Sequence, residues 1–330
     1  MRPWQHRGVS RVRVFASVVA AVLVCATAGC GDEKPEDPVL SPIKGDEWPV
    51  IYEPGQLVWA KGSMVHVGDE SFTVGRRQTV DRIDWTPYGL FLRLSTNPHD
   101  GPFSVAFYDG KALHQIDDVY RNEVVTSPNG ELAAWINRYG PERPAGQVAE
   151  VVVIEVRTGN VVFTTSEGMG GDKDDDLSVL YGELPPTVVE LTNDSVVWMK
   201  AQSEKQSVTT DLETGESTYA DGYAHPTTSG YEYVSPDGRY QVDASKTYRL
   251  KVKPKQPDFG HKWVSQGGWL GDHQLLALGQ DSFKLSYDPD VPDKIRGYIL
   301  SCDLDAGTCE ELERVVGARD VVFAGVDVRY

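Results

Sequence analysis

The most chemical stretch of this chain is Asp172-Lys173-Asp174-Asp175-Asp176, followed by Glu183. Counted as a calcium loop, Asp172, Asp174 and Asp176 fall at the first, third and fifth ligand positions. Glu183 falls at the twelfth, where a bidentate carboxylate belongs. Calcium needs that many oxygens to be neutralised and coordinated. Against this, Leu177 stands at the sixth position, where the loop turns sharply and Gly is expected. An acid-rich chain also produces this spacing as an ordinary solvated loop, and both readings stand at this stage. Other local constellations are absent from the sequence. There is no Gly-x-Ser-x-Gly elbow, no His-Glu-x-x-His, no Cys-x-x-Cys and no phosphate-binding Gly loop. The seven His are scattered.

Composition narrows the classes further. In 330 residues, 40% are hydrophobic and 25% charged, which is globular composition. The formal charge of −17 argues against a phosphate-backbone binder, which needs a basic surface. No nucleic-acid partner is expected.

The N-terminus reads as an address. Arg2, Arg7, Arg11 and Arg13 form a basic region, and an uncharged, mostly apolar run from Val14 to Gly29 follows. That run is short for a membrane span, which takes roughly 20 apolar residues. The junction Thr27-Ala28-Gly29-Cys30 resembles the lipobox of bacterial lipoproteins, with Thr27 replacing the usual aliphatic residue. The resemblance implies a signal peptide over 1–29, cleavage before Cys30, and lipid on the Cys30 sulfur. Residues 30–48 then read as a polar, Pro-rich tether, and 49–330 as the folded domain. The alternatives are an ordinary cleaved signal and an uncleaved anchor. Cleavage removes four arginines and no acid, so the lipid, not surface charge, would hold the domain at an anionic bilayer. The expected location is the extracytoplasmic face of a bacterial envelope.

The elements that carry these residues are strands in a repeat. One pattern is a turn followed by an apolar strand: Trp85-Thr86-Pro87-Tyr88-Gly89, Thr126-Ser127-Pro128-Asn129-Gly130, Leu191-Thr192-Asn193-Asp194-Ser195, Val234-Ser235-Pro236-Asp237-Gly238 and Trp269-Leu270-Gly271-Asp272-His273. Pro presets φ for a tight turn, and Asn or Asp before Gly supplies the left-handed residue that closes it. The second pattern is a later hairpin around Arg157-Thr158-Gly159-Asn160, Glu213-Thr214-Gly215-Glu216 and Asp305-Ala306-Gly307-Thr308, with a shorter form at Asp109-Gly110. The two alternate with a period of about 40 residues and four strands per unit, the signature of a β-propeller blade. A β-sandwich predicts regular turns but not two hairpin types in strict alternation. No segment from 45 to 330 reads as a helix.

The Ser-Pro-Asp-Gly turn, with a chain ending near Asp-x-x-Thr-Gly-Glu, resembles the repeats of TolB-type and Tricorn-type propellers. Residues 127–130 and 235–238 are the closest copies. The reading is an all-β propeller of six blades, at about 50–78, 79–118, 121–166, 184–219, 228–256 and 263–315, with seven as the alternative count. Val321-Val322-Phe323 is left to pair with the first blade and remove the open edge.

In such a meander the tight turns lie on one face. The long connections, 95–103, 138–149, 166–186 and 281–297, lie on the other. Binding residues concentrate on loops held by a rigid scaffold, so Tyr139, Arg143, Tyr287 and Asp288 are the candidate contacts. The expected role is non-catalytic binding of a protein, peptide or envelope polymer. No cofactor is required, and calcium is the candidate ion. A hydrolase or lactonase with a metal in the channel, or a passive spacer, are the alternatives. Finally, Cys302 and Cys309 are the thiols left after leader removal and lipidation. They flank one hairpin turn of an exported domain and are expected to form a disulfide.

Overall fold

The computed structural model describes residues 47–330 except 54–55, 97–101, 202–205, 223–231, 236, 244–249, 283–293, 319–320 and 325–330. The leader, Cys30, the tether up to residue 46, Tyr287 and Asp288 lie outside the described residues. Among the described residues no helix is long and apolar enough to cross a membrane.

The chain is almost entirely antiparallel sheet. The first sheet begins with β1 (Val58–Lys61), β2 (Met64–Val67) and β3 (Glu70–Thr73). The second is β4 (Thr79–Thr86), β5 (Gly89–Ser95), β6 (Phe103–Tyr108) and β7 (Leu113–Ile116). The third opens with β8 (Val119–Thr126) and β9 (Leu132–Asn137). A short ribbon of β10 (Glu142–Arg143) and β11 (Gly146–Gln147) follows, and β12 (Glu150–Glu155) and β13 (Val161–Thr165) complete the third sheet. After helix α1 (Leu177–Glu183), the fourth is β14 (Thr187–Leu191), β15 (Ser195–Met199), β16 (Gln206–Asp211) and β17 (Ser217–Asp221). The fifth is β18 (Glu232–Val234), β19 (Gln241–Asp243) and β20 (Lys251–Lys253). The sixth is β21 (Trp263–Trp269), β22 (Gln274–Gln280), β23 (Arg296–Asp303) and β24 (Thr308–Val316). Last, β25 (Val321–Phe323) pairs antiparallel with β1, with Trp59 opposite Phe323.

Side-chain alternation explains the stacking. Successive residues of a strand point to opposite faces, and second strands such as β9 and β22 are apolar on both. Ala133 and Trp135 of β9 enter a core shared with Phe91 and Phe107 of the second sheet. Ala134 and Ile136 of the same strand enter a core shared with Val196 and Trp198 of the fourth. Likewise Leu275 and Ala277 of β22 meet Val242 and Val252 of the fifth sheet, while Leu276 and Leu278 meet Trp59 and Phe323 of the first. A further core joins the first and second sheets through Ala60, Val65, Leu90 and Leu92. Outer strands are exposed by contrast: Glu310, Glu311 and Glu313 put charge along the β24 edge, which blunts pairing with another chain. Meandering sheets stacked face to face in chain order are the β-propeller arrangement.

The two turn patterns repeat at atomic level. Ser127 Oγ donates to Asn129 Oδ1 at 2.8 Å and accepts from Leu132 N at 3.0 Å. Ser235 Oγ does the same with Asp237 at 2.6 Å and Tyr240 N at 3.0 Å. Gly130 and Gly238, at φ of 69° and 73°, close these turns in the left-handed region. In the second pattern Gly159, Gly215 and Gly307 N–H donate to the carbonyls of Glu155, Asp211 and Asp303. Cys302 and Cys309 sit directly opposite across this last turn and are disulfide-bonded.

Two expectations are corrected. The insert 166–186 contains a helix where none was read. Asp176 caps it, accepting from Ser178 N at 3.0 Å and Val179 N at 3.3 Å. The helix is two turns long, too short for its period to stand out, and only Leu177 and Tyr181 turn toward the core of the third and fourth sheets. The fifth sheet has three strands rather than four among the described residues. Pro254 and Pro257, which lack N–H donors, occupy the stretch where the outer strand would form.

Candidate functional site

The first strands of the sheets lie side by side, and a parallel bridge joins Ile83 of β4 to Ala324 just after β25. Four of these strands break register: β4 between Val80 and Arg82, β8 between Val119 and Val124, β14 between Val188 and Glu190, β21 between Gln266 and Gly268. Such bulges twist a strand and re-aim its side chains. Past these breaks, the ends of β4, β8 and β21, the residues flanking β25 and β1, and the turns that follow enclose a cavity of about 690 Å³.

Its wall is mixed. Arg82 and Asp84, two apart on β4 and so on one face, form a bidentate pair. Nε and Nη2 of Arg82 each donate to the carboxylate at 2.9 Å, and Asp84 is 7% exposed. Trp85 stands one residue before the end of β4, and Trp269 ends β21. Both indole N–H groups are buried without an acceptor. Thr126, Ser127 and Asp272 add polar atoms from two turns.

A charged cluster stands on the same face, between the fifth and sixth sheets. Asp305 accepts from Tyr240 Oη at 2.5 Å and from Arg239 Nη2 at 2.7 Å. His273 Nδ1 lies 3.2 Å from Asp237 Oδ2, and its Nε2 lies 3.9 Å from Asp305 Oδ2. The Ser235 hydroxyl holds Asp237 below the usual carboxylate range, and the Tyr240 hydroxyl does so for Asp305. Conversely, Asp305 raises the Tyr240 phenol and the Arg239 guanidinium.

The chain also enters the domain on this face. Trp48 N–H donates to the Arg157 carbonyl at 2.7 Å, and Ile51 N–H to the Pro87 carbonyl at 2.9 Å. Trp48, the last residue read as tether, is buried against Phe107 and His114.

The described candidates read from the sequence, Tyr139, Arg143 and the acidic run, lie elsewhere. Tyr139 is 47% exposed beside Arg138 on the long-loop face. Arg143 is occupied with neighbouring loops, donating to Gly170 O at 3.1 Å and to Ser166 O and Oγ at 3.2 and 2.8 Å. It ties 138–149 to 166–186. Asp172, Asp174, Asp176 and Glu183 are not brought together as a ligand shell. Asp176 is spent on the helix cap, whose hydrogen bonds from Ser178 and Val179 hold its pKa down, and Glu183 ends the helix. Among the described residues no three His, Cys, Asp or Glu could hold a metal ion. Sequence reasoning did not select Arg82, Asp84, Trp85, Trp269 or Asp272. One signal was present: Trp85 and Trp269 occupy the same position in their repeats, at the end of the first strand.

No protein-family profile matches this chain, and no characterised protein matches it by sequence. Solved structures with a similar chain trace include TolB from Acinetobacter baumannii, with a TM-score of 0.37 and 10% identity over 81% of this chain and 66% of that one. A puromycin-hydrolyzing peptidase from Mycobacterium tuberculosis gives 0.33 and 13% over 77% of this chain and 41% of that one. The β-propeller domain of the Trilobed protease from Pyrococcus furiosus gives 0.28 and 10% over 69% and 70%. The chain thus spans about two thirds of the TolB structure and 41% of the peptidase.

Proposed function

We propose that this chain is an envelope lipoprotein, anchored through Cys30 on the extracytoplasmic face, whose propeller binds a protein or peptide without transforming it. In this reading the propeller has six blades. Apolar cores between sheets one and two, two and three, three and four, five and six, and six and one support the ring. The antiparallel seat of β25 beside β1 supports its closure by the two chain ends. The observation that carries the binding role is the cavity of about 690 Å³ where the first strands of several sheets converge. Its size falls in the range of ligand pockets. Binding is preferred over chemistry because the sequence lacks a nucleophile elbow or a zinc-peptidase motif. In this reading the site lies on the tight-turn face, and Tyr139 and Arg143 belong to the loop scaffold.

Two experiments test this. Cys30→Ala should release the protein from the membrane fraction or leave an uncleaved precursor; normal processing and fractionation would remove the anchor. A photoreactive residue at position 128 should yield an adduct in intact cells, whereas one at 139 should not. Adducts at 139 alone would move the site to the long-loop face. None at either position would count against a binding role.

A further inference from the structure

The edge of the fifth sheet is closed by a side chain. That sheet has three strands among the described residues, where each other sheet of the ring has four, so β20 stands at its rim. Val252 N–H donates to Gln256 Oε1 at 2.9 Å, and Gln256 Nε2 donates to the Leu250 carbonyl at 3.3 Å. A residue of a parallel neighbour makes this same pair of bonds, to the N–H and the carbonyl on either side of the residue it faces. The Gln256 amide thus stands in for a strand beside Lys251. Pro254 and Pro257 keep its own backbone from becoming one. Gln256 is exposed, so its amide passes to water when it leaves.

Two rim strands of this chain are complementary in charge. Lys251 and Lys253 are exposed on one face of β20, and Val252, on the other, is buried against the sixth sheet. On β24 a register shift places Glu310 and Glu313 on one face, opposite Ser301 and Ile299. Ile299 packs toward the first sheet, so that face turns away from the fifth. Glu311 is engaged by Arg314, whereas Lys251, Lys253, Glu310 and Glu313 form no ion pair among the described residues. The bridge from Asp258 reaches β24 at Thr308, short of both glutamates. We infer that β20 is a strand-addition edge for β24 of a second copy of this chain, and that Gln256 holds it shut. With the sheets in the proposed ring, two copies side by side and the same way up bring the lysine and glutamate faces together. Third and fourth strands of a meander run in opposite directions, so β20 and β24 pair antiparallel, Lys251 against Glu313 and Lys253 against Glu310. Opposite charges across strands favour such pairing, and like charges, as in β24 against β24, oppose it. Each copy keeps one edge of each kind, so the contact is heterologous and grows beyond a dimer.

The test is sedimentation of the full chain in excess non-ionic detergent, with amide exchange as the second readout. Gln256→Leu keeps the volume and removes both bonds. Its Val252 amide should exchange about fivefold faster, the worth of one hydrogen bond. Wild type should stay one species as concentration rises. Gln256→Leu should form species larger than a dimer, which recede as salt screens the charge pairs. Adding Lys251→Glu and Lys253→Glu should return it to monomer, and adding Glu310→Lys and Glu313→Lys to those should restore assembly. Should Gln256→Leu fail to fold, Gln256→Glu takes its place, since it sets an oxygen against the Leu250 carbonyl. A variant that stays monomeric overturns the strand-addition edge. Unchanged Val252 exchange, or wild type assembling as far as the variant, overturns the clip. Assembly that ignores the lysine reversals overturns the pairing with β24, and growth that stops at a dimer overturns the head-to-tail contact. The position-128 adduct reports on the cavity separately from all of these.

Discussion

Tyr181→Phe isolates one hydroxyl that holds the long-loop face together. Tyr181 Oη donates to the Met169 carbonyl at 2.9 Å and accepts from Ala149 N–H at 2.8 Å, and both of those residues are fully buried. One atom thus bridges 138–149 and 166–186 from helix α1. Burial raises the phenol pKa, so the hydroxyl stays protonated and able to donate at neutral pH. Phe keeps the ring and its edge contact with Tyr120. The change therefore strands two backbone groups that water does not reach. Each such group costs about 1–3 kcal/mol. Relief of the buried phenol's own desolvation offsets part of the sum, leaving about 1–4 kcal/mol. For a domain of this size that lowers Tm by about 2–8 °C. Calorimetry of the full chain gives the melting shift, and hydrogen exchange should show the Ala149 amide losing protection. A melting shift under about 1 °C with unchanged Ala149 exchange would refute the reasoning.

Other changes probe separate parts of the fold. Replacing Cys302 and Cys309 by Ser opens a short loop and should destabilise by about 2 kcal/mol or less, since a 15-residue loop gives about 3; peptide mapping without reductant should find the bond in exported protein, and two free thiols would contradict it. Asp237 and Asp305 have folded pKa values below their unfolded ones. Their contribution is complete above the unfolded carboxylate range, about pH 4, and is lost as pH falls through the folded values. Asp305→Asn should flatten the acid side of the Tm–pH curve, and an unchanged acid slope would show that the cluster does not clamp sheets five and six.

Much of the fold was legible because its punctuation is stereochemical. Gly130 and Gly238 are demanded by left-handed backbone, and Ser127 and Ser235 brace identical turns, so the repeat shows in sequence. The second strands also declare themselves, since a strand covered by neighbours on both faces must be apolar throughout, as Leu275–Leu278 are. Helix α1 was hidden by its length and by an acidic run whose calcium-like spacing pointed to another chemistry. The cavity was hidden for a different reason. Its wall takes a few residues from each of several distant repeats, and no local spacing records that convergence. Long loops drew attention to Tyr139 and Arg143, but Arg143 serves the loops themselves.

Occupancy of the turn-side mouth in the native envelope tests the central claim most directly. With Cys302 and Cys309 joined, a single introduced thiol reports cleanly. Alkylation of Asp272→Cys and Tyr139→Cys would be timed in intact envelopes, before and after a high-salt wash. The account predicts slow labelling at 272 that accelerates once the salt wash strips a bound partner, with labelling at 139 unchanged throughout. Equal rates at 272 before and after the wash, or shielding at 139 alone, would contradict it.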